Sequence, residues 1–357
     1  MSQFWAGRRV LVTGQTGFKG AWLCLWLERL GAEVSAFALS PQTEPNLYDV
    51  IAPWPKQRHA IVDLRDSDAV AATVRAAAPQ VIFHLAAQSL VRQSYRDPVA
   101  TYATNVMGTL NLLMAVRAVP GIDALVITTT DKVYENEGAG VAFREGDRLG
   151  GKDPYSASKA CAEILTASFR ASFVSGAARP AIATARAGNV VGGGDWSDSR
   201  LVPDVVRAVG QGRKVALRYP DAVRPWQHVL EPLRGYLMFA ERLVRDPAAL
   251  PRALNFGPDP GNWLTVAKVA DIVSEALGAG SGWERAPGVQ PPEAATLTLS
   301  STLAKRALGW QPKLSIHETM VWTATWYKAH RAGRDMRAAS LEQIARYETL
   351  CSEQSPV

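Results

Sequence analysis

The chain has 357 residues, of which 47% are hydrophobic and 20% charged, and its formal net charge is +6. This length and ordinary composition predict a globular protein with a large core. The positive charge is mild and spread along the chain, which argues against a nucleic-acid-binding surface but would suit a phosphate-bearing substrate.

The histidines, cysteines and apolar runs narrow the class of protein further. The five histidines are scattered without metal-ligand spacing, so we expect no metal site. Cys24, Cys161 and Cys351 are expected to be buried, reduced thiols. No uninterrupted apolar stretch reaches about 18 residues, and residues 1–9 are short and polar. We therefore expect neither a membrane span nor a signal peptide, and a cytoplasmic protein.

The first elements predict one half of a dinucleotide-binding unit. A β-branched run, residues 9–13, leads into Gly14, Gly17 and Gly20, and apolar residues at helical spacing follow over 21–30. Such glycines let the backbone turn, let a pyrophosphate approach and let the helix pack against the strand. The predicted second strand, 33–39, ends without the usual acidic residue and without an arginine, which leaves the choice open but favours NAD over NADP.

Strands and helices then alternate, which predicts a Rossmann-type, doubly wound parallel sheet. The predicted strands are 61–64, 81–88, 125–129 and 181–186, and the helices are 68–78, 101–118 and one that starts after Pro154. We expect an NAD-binding domain over 1–187, to which 226–256 returns. A smaller, mixed α/β substrate-binding lobe follows over 188–340, and a C-terminal tail over 341–357.

The second half has a less regular pattern. Residues 189–196 are glycine-rich and are predicted to be irregular. Helices are predicted over 201–210, 229–244, 266–277, 302–308 and 316–332, and strands over 215–218 and 253–256. This lobe is expected to close over the carboxyl ends of the sheet, where ligands bind in open α/β folds.

Two neighbouring segments carry candidate catalytic groups. The strand predicted at 125–129 delivers Thr130, Asp131 and Lys132 into a loop. The helix after Pro154 carries Tyr155 and Lys159 four residues apart, on one face. A nearby ammonium lowers the pKa of a phenol, so this pair can act as acid or base. Taken alone, the pair also fits a half-buried aromatic residue beside an exposed charge.

These residues resemble the extended short-chain dehydrogenase/reductase family over most of the chain, from 13 to about 314. Within that family the Thr130–Asp131–Lys132 run resembles the nucleotide-sugar 4,6-dehydratases. Four longer blocks, 14–20, 130–137, 186–196 and 224–232, are most similar to the dehydratases that act on CDP-glucose. The matching single positions are Gly14, Gly17, Gly20, Asp63, Leu85, Ala86, Ala87, Asn105, Thr130, Tyr155 and Lys159.

The resemblance implies two sets of binding residues. Those expected to contact NAD are Gly14, Thr16, Gly17, Phe18, Gly20, Asp63, Leu64, Leu85, Ala86, Ala87, Tyr155 and Lys159. Those expected to contact a nucleotide-sugar substrate are Gln88, Asn189, Val215, Arg218, Arg224 and Asn255. Arg224 suits a diphosphate because its guanidinium is a planar, charged fork, although it also fits a surface arginine beside a proline.

The resemblance also implies a mechanism. Tyr155 would take the proton of the sugar 4-hydroxyl, which Thr130 would hydrogen-bond, while hydride leaves C4. Asp131, if protonated, would donate to the departing C6 hydroxyl. Lys132 stands where the dehydratases acting on dTDP-glucose carry a glutamate, so it would serve as a neutral amine base or stabilise an enolate. Glu135 is the alternative base, and a salt-bridged loop lysine the alternative reading.

Other functions and the assembly stay open at this point. A nucleotide-sugar 4-epimerase would share the cofactor, Tyr155 and Lys159, and a non-catalytic NAD sensor would share only the fold. The resemblance implies a homodimer, doubled in some members to a tetramer, in which the helices of Asn105 and Tyr155 form a four-helix bundle. The resemblance also implies a pathway: the 4-keto-6-deoxy sugars that such dehydratases make usually serve as precursors of the dideoxysugars in surface polysaccharides, such as the O-antigen of lipopolysaccharide.

Overall fold

The structure is a computed structural model that describes residues 2–138, 140–174, 179–280, 282–288 and 297–353. In chain order the strands in these residues are β1 (Arg9–Thr13), β2 (Glu33–Ala38), β3 (His59–Ile61), β4 (Val81–His84), β5 (Ala124–Thr128), β6 (Ala181–Ala187), β7 (Val190–Val191), β8 (Val215–Leu217), β9 (Val223–Pro225), β10 (Gln227–His228), β11 (Ala253–Phe256), β12 (Trp263–Thr265) and β13 (Trp283–Arg285).

The α-helices are α1 (Ser2–Trp5), α2 (Phe18–Arg29), α3 (Leu47–Val50), α4 (Ser67–Ala77), α5 (Val91–Arg96), α6 (Pro98–Tyr102), α7 (Gly108–Ala118), α8 (Pro154–Phe173), α9 (Leu201–Gly210), α10 (Leu230–Arg245), α11 (Val266–Ala276), α12 (Thr302–Leu308), α13 (Ile316–Arg331) and α14 (Met336–Glu353). A π-helical turn, Ala103–Met107, joins α6 to α7. Tight 3-10 turns lie at Asp131–Val133 and Pro260–Asn262.

Seven parallel strands form the main sheet, in the order β11-β6-β5-β4-β1-β2-β3. Strands β4, β5 and β6 are buried along their whole length, as expected of a sheet covered by helices on both faces. The strand order reverses between β1 and β4, which opens a crevice at the carboxyl ends of these strands. The predicted Rossmann-type sheet is therefore confirmed.

Most predicted elements differ from the structure by three residues or fewer, and three differences matter. The glycine-rich stretch 189–196 is not wholly irregular, because Val190–Val191 pairs in parallel with Gln227–His228. The third strand ends at Ile61, before Asp63. The predicted helix 101–118 begins earlier, at Pro98, because Asp97 caps it through the backbone N–H of Ala100.

The C-terminal tail predicted from residue 341 is corrected for residues 341–353, which belong to α14. The ring of Tyr347 packs edge-on against Trp26 of α2, with centroids 5.8 Å apart. The carboxylate of Glu348 accepts a hydrogen bond from the Trp26 indole at 2.8 Å and pairs with Arg29. This helix is thus part of the core layer beside α2, while residues 354–357 lie outside the described residues.

The helices before and after the π-helical turn expose apolar side chains. The continuous run Pro98–Ala118 is long and apolar enough to span a membrane by length and composition alone, but it packs against α8 and α4 as a core helix does. Cys161 on α8 is exposed, which corrects its predicted burial, whereas Cys24 and Cys351 are buried. The exposed apolar residues of α6, the π-helical turn, α7 and α8 are Val99, Tyr102, Met107, Met114, Ile164 and Phe173.

Candidate active site

Two glycines in the turn after β1 allow a close approach of backbone segments that no larger residue would permit. Gly14 has a φ of +86°, and a Cβ placed there would lie 2.7 Å from the backbone nitrogen of Ala86. A Cβ on Gly20 would lie 2.0 Å from the carbonyl oxygen of Gly14. Only hydrogen fits at either position, so the turn from β1 into α2 depends on both glycines.

The rest of this turn fits a dinucleotide phosphate. Gly17 caps α2 without a side-chain hydrogen bond, so no side chain at the cap competes for the first N–H groups of the helix. Thr16 donates to the carbonyl oxygen of Leu39 at 2.8 Å, which holds the turn against the end of β2. Phe18 opens the helix, and the backbone N–H of Leu85 donates to Thr13. NAD would lie along these residues, with its pyrophosphate at the helix N-terminus.

Three more of the residues predicted to contact NAD are Asp63, Leu64 and Ala87. Asp63 is held by Arg65 at 2.6 Å, and this hydrogen bond keeps the pKa of the Asp63 carboxyl below its usual range. Leu64 is buried, and its side chain touches the position of Gly108. Ala87 lies half-buried in the loop after β4. Cofactor contact by these three residues stays a prediction.

Three successive threonines at the end of β5 bind three different partners. Thr128 donates to the carbonyl oxygen of His84 at 3.0 Å, and Thr129 donates to Glu163 at 2.5 Å. Thr130 donates to the carboxylate of Asp131 at 2.9 Å. This alternation places Thr130 and the turn Asp131–Val133 at the carboxyl edge of the sheet.

Tyr155 faces this turn from the first turn of α8. Asp153 caps the helix by accepting from the N–H of Ser156 at 3.0 Å, and the Tyr155 phenol is hydrogen-bonded to Thr130. Burial raises the pKa of Tyr155 to about 12; the Thr130 bond lowers it and the Asp131 charge raises it. We expected Lys159 to lower the pKa of the Tyr155 phenol. In the protein alone this expectation is wrong, because burial has the larger effect and raises that pKa.

Lys159 lies one helical turn further along the same face. Its ammonium donates to the carbonyl oxygen of Thr128 at 3.0 Å, which ties α8 to the end of β5. Burial lowers its pKa to about 7, Lys19 lowers it further, and Glu163 raises it. The structure thus brings Thr130, Tyr155 and Lys159 together as predicted from the sequence.

Asp131 and Lys132 complete the cluster. The Asp131 side chain is almost fully buried, and its Oδ1 lies 3.5 Å from the ammonium of Lys132. Its Oδ2 is buried and, within the described residues, has no hydrogen-bond partner. The carboxylate of Glu135 instead pairs with Arg148 at 3.1 Å and lines a separate surface crevice. The geometry therefore favours Lys132 over Glu135 as the group that acts beside Asp131.

A buried ion pair supports this cluster from below, and sequence reasoning missed it. Glu163 continues the face of Tyr155 and Lys159 by one further turn, and its carboxylate accepts from both Nε and Nη2 of Arg186 on β6, at 2.9 and 2.8 Å. Arg186 also donates to the Tyr134 hydroxyl at 2.8 Å. The spacing from Lys159 to Glu163 was the available signal, but it could not identify Arg186 as the partner.

Two more cations near the pocket were also missed. Lys19 lies inside the glycine motif with its ammonium 5.8 Å from the centroid of the Tyr236 ring, and burial together with Arg200 lowers its pKa to about 8. Arg200 pairs with Asp195 at 2.9 Å and donates to Ser89 at 3.1 Å. Arg200 thereby joins the second lobe to the loop after β4, beside Tyr155.

The predicted substrate residues fall into two groups. Asn255 is corrected: its side chain is fully buried, accepts from Tyr134 at 2.7 Å and donates to Phe143 at 3.1 Å. The Gln88 amide is used within its own loop, where it donates to Leu90 and Thr101 and accepts from the N–H of Leu90. Substrate contact by Gln88 stays a prediction.

The other predicted substrate residues lie in the second lobe. Arg224 is buried in β9, which excludes the reading as a surface arginine, and its guanidinium donates to Val223 at 2.9 Å. Asn189 lies half-buried between β6 and β7, and Val215 is buried in β8. Arg218 follows β8 and donates to Ser199 at 3.4 Å. Substrate contact by these residues stays a prediction.

Comparison with known proteins agrees with this site. The chain matches the model of the NAD dependent epimerase/dehydratase family over residues 10–257. It is 42% identical over 348 residues to CDP-glucose 4,6-dehydratase of Salmonella typhimurium, covering 96% of this chain and 97% of that protein. It is 29% identical over 330 residues to dTDP-glucose 4,6-dehydratase of Streptomyces griseus, covering 90% and 95%.

A solved structure has the same fold. The dTDP-glucose 4,6-dehydratase from Bacillus anthracis, in complex with NAD, superposes with a TM-score of 0.76 at 23% identity, covering 93% of this chain and 100% of that one. The resemblance to nucleotide-sugar dehydratases of the extended short-chain dehydrogenase/reductase family is confirmed by these matches. On its sheet order, its glycine turn and the match over most of its length, the chain belongs to the NAD-dependent epimerase/dehydratase family.

Proposed function

We propose that the protein is a hydro-lyase that converts CDP-glucose to CDP-4-keto-6-deoxy-glucose and water, with NAD bound throughout. Identity of 42% over nearly the whole length to a CDP-glucose 4,6-dehydratase supports the reaction and the nucleotide. The observation that carries the proposal is the buried Oδ2 of Asp131, beside Thr130 and Tyr155, for which the described residues supply no hydrogen-bond partner. An oxidation or epimerisation at C4 would not need such a group.

The residues divide the reaction between them. NAD, when bound, supplies the acceptor and donor of the hydride. Tyr155 takes the proton of the sugar 4-hydroxyl, while Thr130 hydrogen-bonds that oxygen. Lys159, tied to β5 through Thr128, keeps Tyr155 in place and adds positive charge to the pocket.

Elimination of water then falls to Asp131 and Lys132. A 4-keto group acidifies the hydrogen at C5, so loss of water across C5 and C6 becomes feasible. Asp131, when protonated, gives a proton to the departing C6 hydroxyl from Oδ2, the oxygen that has no partner among the described residues. Lys132 takes the C5 proton as a neutral amine or stabilises the resulting negative charge as a cation. Arg224 holds the diphosphate.

One assay tests the proposal. Purified enzyme is incubated separately with the CDP, dTDP, UDP and GDP derivatives of glucose, and each reaction is followed by the ultraviolet absorbance that 4-keto-6-deoxy sugars develop in alkali. We expect the keto sugar from CDP-glucose at a rate well above that from the others. Formation of UDP-galactose from UDP-glucose without any keto sugar would instead identify an epimerase.

We also propose that the enzyme is a cytoplasmic homodimer built on α6, α7 and α8. Their exposed apolar side chains, with Val99 79% and Ile164 57% exposed, are unusual for a free surface. Sedimentation of the wild-type protein should give a dimer, and Met107→Asp with Ile164→Asp should give a monomer. The matched change Ile61→Asp, at an exposed apolar residue of β3, should leave the dimer intact.

A further inference from the structure

A crevice of about 290 Å³ lies at the end of the sheet opposite the active site. It opens beside Ala181, the first residue of β6, and Arg252, just before β11, whereas the catalytic residues follow the carboxyl ends of the strands. With a strand rise of about 3.3 Å per residue, β6 separates the two places by roughly 20 Å. The residues that line it are Ala167, Arg170, Ala171, Val174, Pro180, Ala181, Ile182 and Arg252.

Two arginines face this crevice, and no described residue forms an ion pair with either of them. Within the described part of the chain, neither the guanidinium of Arg170 nor that of Arg252 has a hydrogen-bond or ion-pair partner, and Nη1 of Arg252 is buried. Burial and the neighbouring Arg252 lower the pKa of Arg170. Glu163 acts electrostatically on Arg170, but both of its oxygens accept from Arg186.

Neighbouring sequence supplies no compensating acid either. Residues 175–178, which join α8 to the strand region, are Ser, Gly, Ala and Ala and carry no carboxylate. Two like charges in one partly buried crevice raise the free energy of the empty protein, and a buried N–H without an acceptor adds a further cost. An anion would offset both.

We propose that this crevice is a second ligand site, which binds a small molecule bearing a phosphate or carboxylate group between Arg170 and Arg252. The two guanidinium groups offer charged, planar forks for paired anionic oxygens. The alanine, valine, proline and isoleucine walls accommodate a small apolar body attached to that group.

The proposed site and the candidate catalytic residues share the helix α8. Arg170 lies about 16 Å along α8 from Lys159, at about 1.5 Å per residue. Glu163 lies between them and acts electrostatically on both Lys159 and Arg170. An anion at Arg170 therefore bears on the same helix face that holds Tyr155 and Lys159.

Methyl-labelled NMR of the NAD-loaded enzyme tests the site locally. Inorganic phosphate, pyrophosphate and succinate are titrated separately at constant ionic strength, and the methyl groups of Ile182 and Val174 report binding in the crevice. We expect saturable shifts of these methyls with at least one of the three, while Ile344, a buried residue of α14, stays unmoved. The arm that saturates at the lowest concentration distinguishes phosphate from carboxylate recognition.

Variants decide whether the arginines are responsible. Arg252→Gln and Arg170→Gln should each weaken the saturable binding at least tenfold, and the exposed control Arg306→Gln should leave it unchanged. Shifts that stay linear in the wild type, or that saturate equally in the Arg170→Gln/Arg252→Gln double variant, would overturn the proposal. Linear shifts in the wild type overturn the proposal by themselves, so this part of the test does not depend on the folding of any variant.

Discussion

The ammonium of Lys132 lies 3.5 Å from Oδ1 of Asp131, while Oδ2 of the same carboxylate is buried and accepts no hydrogen bond from the part of the chain that the structure describes. The two oxygens therefore have different surroundings: Oδ1 is held by Thr130 and Lys132, and Oδ2 is buried without a hydrogen-bond partner among the described residues. This asymmetry gives one carboxyl group the fixed orientation that proton transfer to a leaving hydroxyl requires.

A Lys132→Met variant should separate oxidation from elimination. Tyr155 and Thr130 are untouched, so CDP-glucose should still reduce the bound NAD. Loss of water should slow by about 10²–10⁴-fold, as for removal of a general base. Stopped-flow absorbance of reduced nicotinamide, compared with keto-sugar formation, measures both steps. Glu135→Gln is the matched control and should turn over normally; the opposite pattern would transfer the role to Glu135.

A Gly20→Ala variant should lose NAD while Gly17→Ala keeps most of its affinity. The added Cβ would meet the carbonyl oxygen of Gly14 at 2.0 Å in the first case and at 3.4 Å in the second. The turn must therefore open for Gly20→Ala but not for Gly17→Ala. Calorimetric titration of NAD into the cofactor-free proteins measures the difference, and equal affinities would show that the turn does not hold the cofactor.

A Glu163→Gln variant should be destabilised by about 3–5 kcal/mol, because it leaves the buried Arg186 without its counter-ion. Urea unfolding followed by circular dichroism gives the free energy. The partly exposed pair of Glu241 and Arg245 on α10 provides the control, and Glu241→Gln should cost less than about 1 kcal/mol. A similar cost for both variants would mean that the buried pair contributes no more than a surface pair.

The protein should become less stable as the pH is lowered, and His84 should account for part of this loss. Burial, with Lys159 nearby, lowers its pKa from 6.5 to about 3. His84 therefore becomes protonated below about pH 6.5 in the unfolded chain, but only below about pH 3 in the folded chain. This contribution is complete above pH 6.5 and is lost as the pH falls, at about 1.4 kcal/mol per unit.

The histidine can be tested by substitution. His84 bridges the hydroxyls of Thr13 and Thr109 at 2.7 and 3.1 Å, and a glutamine can bond to both without titrating. Urea unfolding between pH 7 and 5 should show a slope for His84→Gln that is smaller by about one proton. Identical slopes in the two proteins would mean that His84 is not the titrating group.

Local patterns predicted the sheet and the catalytic cluster, because strands and helices leave periodic signals. Tyr155, Lys159 and Thr130 stand at element ends whose positions the periodicity fixes. Arg200 was missed because its role depends on Ser89, which is 111 residues away in the chain. Asn255 was misassigned for the same reason: its hydroxyl partner, Tyr134, comes from a distant loop.

The run Thr128–Thr129–Thr130 sets a limit on how this enzyme can vary. Each hydroxyl reaches a different side of the strand end, so the partners depend on chain length as much as on residue type. A deletion or insertion of one residue between 124 and 130 would move each threonine to the position of its neighbour, so that its hydroxyl would face the wrong partner. Surface loops tolerate such changes in length. This stretch should reject them, even where single substitutions survive.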